Sequence, residues 1–254
     1  MAEEVYMRGL FKKIIAAALA AAAAAALCAC FDDDKPSTEA EASGAGGDQT
    51  TVFTVPIQTV TDTKKLSYGA LFTFGKHEQD GNTENGKEDV EWIVVGFEDG
   101  KLLAVTRYAL LTKTMSTAMW EGTTWEKCSL RKTLNAEFYG QTFSSEEKLL
   151  IAETQTGTDD RGKPLTDNVF LLSREEFEKY IEEEESFIFC PPTEYAKNQG
   201  AYLSDDGYVS WWLRSVYDKN NHMCIVRHTT GKIGGDYPFN GGCCVRPAIW
   251  LYCE

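Results

Sequence analysis

The chain has 254 residues, 43% apolar and 12% aromatic, enough for one sizeable globular core. Its formal net charge is −14, and no Lys/Arg cluster occurs beyond the first 13 residues. Nucleic acid is therefore not an expected partner, since the basic footprint it requires is missing, and the acidity reads as a solubility feature of an exposed protein.

Lys12 and Lys13 precede Ile14 to Leu27, fourteen apolar residues dominated by Ala, with small residues just beyond. A positive flank, a short apolar run and a small-residue exit make a secretory signal peptide over residues 1–29. A membrane-spanning helix would need about 20 apolar residues, more hydrophobic than Ala. Leu27-Cys28-Ala29-Cys30 resembles a bacterial lipobox. Cys30 is the expected acceptor, because acylation of Cys28 would place bulky Leu27 at the cleavage position. Acyl chains on Cys30 would anchor the protein by burying methylenes in a membrane.

Residues 30–64 read as a flexible tether. Asp32, Asp33 and Asp34 are followed by a Ser/Thr/Glu/Ala/Gly stretch with no period, too polar to build a core. The acidic run resembles a surface-export signal of some bacterial lipoproteins; a solvated linker is the plainer alternative. Val52 to Val60 alternates weakly, as a first strand or an extended lead-in.

The remaining residues, 65–254, read as one domain. Leu71 to Gly75 is a short strand, and the polar stretch His77 to Asp89 a loop. Strands Trp92 to Phe97 and Leu102 to Tyr108 are joined through Asp99-Gly100, a strong hairpin signal. Leu130, Leu134 and Phe138 share one helix face over Ser129 to Tyr139, with Gly140 as the expected stop. Ser144 caps a second short helix, whose acids Glu146 and Glu147 suit the helix dipole. Val169 to Leu172 reads as a strand. Ser173-Arg174-Glu175-Glu176 is a capping box opening a helix that turns Phe177, Tyr180 and Ile181 inward. Glu182 to Glu185 point around that helix end, as on a solvated face. Pro191-Pro192-Thr193-Glu194 starts a helical turn that ends by Gly200. Strands, then helices, then strands again indicate an α+β fold with a mostly antiparallel sheet.

The last 44 residues open with Trp211-Trp212-Leu213-Arg214-Ser215 and close with Val245-Arg246-Pro247-Ala248-Ile249-Trp250-Leu251, both read as strands. Between them lies a polar, aromatic-dotted stretch. Tyr217, Asp218, Asn220, Asn221 and His222 form one cluster, Arg227 and His228 a second, and Asp236, Tyr237, Phe239 and Asn240 a third. An apolar strand, Met223 to Val226, and the turn Thr230-Gly231 separate them. Rigid aromatics beside short polar side chains resemble the composition of an antibody paratope, so these eleven residues are the candidate ligand-binding set. Trp211, Trp212 and Trp250 are a candidate sugar-stacking platform, but half-buried tryptophans of closing strands are more often core, and core is the expectation. Arg214 and Arg246 are expected to be structural hydrogen-bond donors.

WWLRS followed by VRPAIWL resembles the C-terminal signature of a family of bacterial domains of uncharacterised function. That family looks like a branch of the C-type lectin-like fold, akin to formylglycine-generating enzymes and to the variable proteins of diversity-generating retroelements. Upstream segments fit in order: Glu91 to Val95, Tyr108 to Leu110, Thr124-Trp125-Glu126, Ser129 to Arg131 with Leu134-Asn135, Glu146 to Lys148, and Asp167 to Ser173. Val216 departs from the Pro usual after the first motif. The resemblance implies a C-type lectin-like domain with a few short helices, displaying a recognition surface. In diversified relatives, variable residues concentrate between the two signatures.

No nucleophile elbow, P-loop, GxGxxG, CxxC or HExxH occurs, and the only histidines are His77, His222 and His228. No catalytic residue, metal or cofactor is nominated. The sugar-binding tripeptides of calcium-dependent lectins are also missing. Cys224 is a candidate to pair with Cys243 or Cys244, with connectivity open. The rival reading is an extracytoplasmic enzyme of the formylglycine-generating type, with a soft-metal site of His222, Cys224, Cys243 and Cys244, although their spacing fits no recognised ligand motif. A purely structural envelope lipoprotein is a third. The leading expectation is a lipid-anchored, extracytoplasmic, surface-exposed lipoprotein whose partner is a protein or surface polymer.

Overall fold

The computed structural model describes residues 55–117 and 122–253. The signal peptide, the Cys30 acceptor and the tether as far as residue 54 lie outside them. Within the stretch read as tether, β1 (Val55–Pro56) pairs in parallel with β2 (Leu71–His77). Beyond it, Ile57 is buried and α1 (Val60–Thr63) ends at Thr63, whose Oγ1 donates to Tyr252 O at 2.8 Å. The folded body therefore starts earlier than composition suggested.

Two five-stranded, mostly antiparallel sheets and a set of short helices make an α+β fold. The first sheet has the order β1-β2-β3-β4-β12, with β3 Glu88–Glu98, β4 Lys101–Thr106 and β12 Ala248–Tyr252. The β3–β4 hairpin turns at Asp99 (φ 49°) and Gly100 (φ 68°), the two left-handed residues a tight type I′ turn requires. Leu102 to Val105 are all buried, so this sheet is covered on both faces.

The second sheet has the order β10-β9-β8-β11-β5. Its strands are β5 Leu111–Thr112, β8 Trp211–Val216, β9 Met223–Val226, β10 Ile233–Asp236 and β11 Cys244–Val245. A separate hairpin joins β6 (Thr154–Thr158) to β7 (Pro164–Asp167).

The helices are α2 (Ser129–Thr133), α3 (Tyr139–Thr142), α4 (Ser145–Lys148), α5 (Arg174–Tyr180), α6 (Glu185–Ile188) and α7 (Glu194–Asn198). Both Ser caps form complete capping boxes, Ser144 with Glu147 and Ser173 with Glu176.

Three expectations are corrected. Gly140 does not stop the first helix: α2 runs through a π segment, Leu134–Phe138, into α3. Asn135 shapes that segment, its Nδ2 donating to Arg131 O and Val169 O while its Oδ1 accepts from Asn168 N and Val169 N. Val169 to Leu172 is a buried segment rather than a strand, joined to the first sheet through a single bridge, Phe170 to Ala248. The closing strand is broken in two, because β11 belongs to the second sheet and β12 to the first.

Arg246 and Pro247 make that crossing. Arg246 is only 1% exposed. Its Nε donates to Thr106 O at 2.8 Å, its Nη1 donates to Phe187 O, and its guanidinium lies 5.0 Å from the Trp211 ring centroid. Two carbonyls and an aromatic face thus hold a cation between the sheets.

Candidate functional site

The β8–β9 loop carries the first cluster. Tyr217 N–H donates to His222 O at 2.8 Å, and Asn221 takes the left-handed conformation (φ 67°) that closes the loop. Asp218 Oδ1 accepts from Asn220 N–H, and its Oδ2 lies 2.8 Å from His222 Nδ1. That contact with His222 is the main reason the Asp218 carboxyl sits below its ordinary range.

The third cluster is a turn after β10. Asp236 Oδ1 accepts from Tyr237 N–H at 2.7 Å and its Oδ2 from Asn240 Nδ2 at 2.6 Å. Held this way, Tyr237 and Phe239 stack at 5.2 Å with 21° between ring planes, and they are 52% and 39% exposed. The His222 ring meets Tyr237 edge-on at 4.5 Å. The fold therefore brings Asp218, His222, Asp236, Tyr237, Phe239 and Asn240 together.

The side chains of the other five make different contacts. Asn221 Oδ1 accepts from Thr123 N at 2.5 Å, while Asn220 is exposed at the loop tip. Arg227 and Tyr217 lie across opposite faces of β10, where Gly234 and Gly235 make room. A Cβ on Gly234 would stand 2.1 Å from Arg227 Nε, and one on Gly235 would stand 2.3 Å from the Tyr217 ring. Arg174 of α5 covers the Tyr217 ring at 5.5 Å and donates through Nη2 to Cys224 Sγ. His228, at the far end of β9, shares a 2.7 Å hydrogen bond between Nδ1 and Ser210 Oγ.

Tyr202 is a surface residue the sequence did not single out. It is 70% exposed, and its ring lies 5.6 Å from that of His228. Its N–H donates to Gly242 O, and Gly242 N–H donates to Asn240 Oδ1, which joins Tyr202 to the Tyr237 turn. A lone Tyr in a polar loop carries no periodic signal; only the fold returns it to the third cluster. Among the described residues, three of the eight exposed large apolar side chains, Tyr202, Tyr237 and Phe239, belong to this turn and the loop bonded to it.

The framework residues face inward. Trp211, Trp212 and Trp250 are buried; Trp211 Nε1 donates to Ile188 O and Trp212 Nε1 to Lys113 O. Arg214 makes a two-pronged pair with Glu176 (2.5 and 2.8 Å) and donates to Thr156 O and Leu171 O.

Cys128, Cys190, Cys224, Cys243 and Cys244 are buried, unpaired thiols, so neither pairing of Cys224 forms. Burial is the largest cause raising each thiol pKa: Cys128 to about 11, Cys244 to about 12, and Cys243 well above its ordinary value. The rival soft-metal set is not assembled either. His222 faces Asp218, Cys224 meets Arg174, Cys243 Sγ donates to Ser210 O, and Cys244 Sγ lies against Thr112 Oγ1. Among the described residues, those close enough to share a cation are Glu78, Asp80 and Glu88, and Glu126, Asp159 and Asp160. The second trio borders a pocket of about 250 Å³ that includes Trp125 and Leu165. Neither trio includes a residue of the aromatic surface.

No curated protein and no solved structure matches the chain. Residues 99–253 match the family described as a domain of unknown function (DUF6273), a stretch running from the β3–β4 turn through both closing strands. The chain belongs to that family.

Proposed function

We propose that this protein is a lipid-anchored, extracytoplasmic lipoprotein, and that its domain, a branch of the C-type lectin-like fold, binds a partner through the stretch between Trp211 and Trp250. The observation that carries the reading is the exposed Tyr237–Phe239 stack, held outward by Asp236 and Asn240 and flanked by His222. Large aromatics turned to solvent by a rigid turn supply contact area at little entropic cost, which suits recognition of a protein or surface polymer.

The anchor rests on Cys30 and the apolar run before it. Among the described residues no helix is long and apolar enough to cross a membrane. The motifs WWLRS and VRPAIWL further support membership among retroelement-diversified binders. A reverse transcriptase gene beside a near-copy of the codons for Trp211 to Trp250, differing mainly at adenines, would carry that part.

The test uses metabolic labelling with a radioactive fatty acid, then binding to intact cells and surface polymers. Label should disappear with Cys30→Ser, and binding should disappear with the pair Tyr237→Ala and Phe239→Ala. Binding that survives the aromatic pair would refute the site, and label that survives Cys30→Ser would refute the anchor.

A further inference from the structure

We infer that Asn240-Gly241 is a self-modification site: the Asn240 amide cyclises onto the Gly241 nitrogen, and water opens the ring to aspartate or isoaspartate, which unlocks the Tyr237–Phe239 turn. The inference goes beyond the binding role and does not depend on it.

The sequence supplies the reactive pair. Among the asparagines, only Asn85 and Asn240 are followed by glycine. With no Cβ, glycine leaves its own nitrogen uncovered and its backbone free to turn toward the preceding side chain.

The fold then prepares Asn240. Asn240 and Gly241 are exposed, so water reaches both. Gly242 N–H donates to Asn240 Oδ1 at 2.9 Å, which folds the side chain back along its own following peptide and closes a ring that contains the Gly241 nitrogen. The same N–H faces the oxygen on which negative charge develops during attack. Gly241 N–H donates to no group among the described residues, so no hydrogen bond has to break before its nitrogen reacts. Asn85 is a comparison within the same chain. Its Nδ2 donates to Asp80 Oδ2 at 2.7 Å, much as Asn240 Nδ2 donates to Asp236, but its Oδ1 accepts no hydrogen bond among the described residues.

The step needs water alone. The Gly241 nitrogen loses its proton to solvent and bonds to Asn240 Cγ; the Cγ–Nδ2 bond breaks, and Nδ2 takes a proton and leaves as ammonia. One water then breaks either C–N bond of the cyclic imide. Scission at the side-chain carbonyl gives Asp, and scission at the main-chain carbonyl gives isoaspartate, with an extra methylene in the main chain.

The consequence falls on the turn. Asn240 Nδ2 donates to Asp236 Oδ2 at 2.6 Å, whereas a carboxylate in its place has no donor and meets Asp236 with like charge. Asp236 also holds Tyr237 N–H, so the repulsion is felt at the root of the aromatic stack. Isoaspartate lengthens the chain just before Gly242, whose O accepts from Tyr202 N–H.

The experiment stores the purified full-length chain in ¹⁸O water at pH 8 and at pH 6, then maps its peptides by tandem mass spectrometry that separates Asp from isoaspartate. The isotope is present only during storage, which marks acid formed before digestion. Labelled Asp and isoaspartate should accumulate at residue 240, faster at pH 8, and ahead of residue 85. A Cβ on Gly241 would meet nothing within 4 Å, and its φ lies outside the left-handed region, so Gly241→Ala should keep the fold. That variant should slow the conversion roughly tenfold, because the methyl group hinders the attacking nitrogen. In Asn240→Asp, nuclear Overhauser contacts between the Tyr237 and Phe239 rings should weaken. Residue 240 unchanged while residue 85 converts, acid without isoaspartate, or an undiminished rate in Gly241→Ala would overturn the site. Ring contacts that persist in Asn240→Asp would overturn the unlocking of the turn.

Discussion

His222 Nδ1 lies 2.8 Å from Asp218 Oδ2 while the same ring meets Tyr237 edge-on, so one histidine couples the β8–β9 loop to the turn after β10. Because His222 is the largest cause of the depressed Asp218 pKa, His222→Ala should return that carboxyl upward toward its ordinary value. A carboxyl ¹³C titration by NMR reads the shift. No upward movement would show that the pair does not form in solution.

The Tyr237→Ala and Phe239→Ala pair should cost little stability, since both side chains face solvent. Exposed sites typically change stability by less than about 0.5 kcal/mol each. Calorimetry should find Tm within a few degrees of the unmodified protein, and a larger fall would make these rings part of the core.

Acid should weaken the fold through His77. Its ring packs against Phe138 and Tyr195, neither ring nitrogen has a partner, and burial pushes its pKa down to about 4. The unfolded chain binds this proton near pH 6.5 and the folded chain only near pH 4, so stability is full above about 6.5 and declines as pH falls toward 4. The loss across that window is at most about 3 kcal/mol. His77→Phe should flatten it, as urea unfolding at pH 7 and pH 5 would reveal.

Replacing Arg246 by Met should destabilise the protein by about 3 kcal/mol, because Thr106 O and Phe187 O would lose their donor inside the core. Chemical denaturation measures the drop. A change below about 0.5 kcal/mol, the range of exposed substitutions, would show that the sheet crossing does not depend on this side chain.

The five buried thiols should resist a maleimide at pH 7 in the native state and react once urea unfolds the chain. Cysteine-resolved mass spectrometry separates them from Cys253, which is partly exposed. Rapid native labelling at Cys224 or Cys243 would reopen the case for cysteine chemistry.

What was legible in the sequence was local. The Asp99-Gly100 turn and the Ser144 and Ser173 caps depend on residues within four positions of one another, so pattern alone located them. The break between Val245 and Ala248 could not be read this way, because it depends on which sheet each half joins. The π segment is fixed partly by Asn135 reaching Val169, thirty-four residues away. In the candidate surface, composition marked Tyr217, Tyr237 and Phe239 as large aromatics in a polar stretch. It could not show that Arg227 would cross the other face of β10, or that Tyr202 would arrive beside Asn240.

Trp211 and Cys244 are partners in adjacent parallel strands, so the chain leaves the second sheet and returns to it at neighbouring positions, about 4.8 Å apart. Everything between is an excursion whose two mouths are already fastened together. Lengthening it would add only a slowly growing entropy of closure, about 0.6 kcal/mol for each doubling. The β8–β9 loop tip and the 236–242 turn are therefore natural ports for grafted segments, and the domain could accept foreign recognition loops there while its closing strands stay as they are.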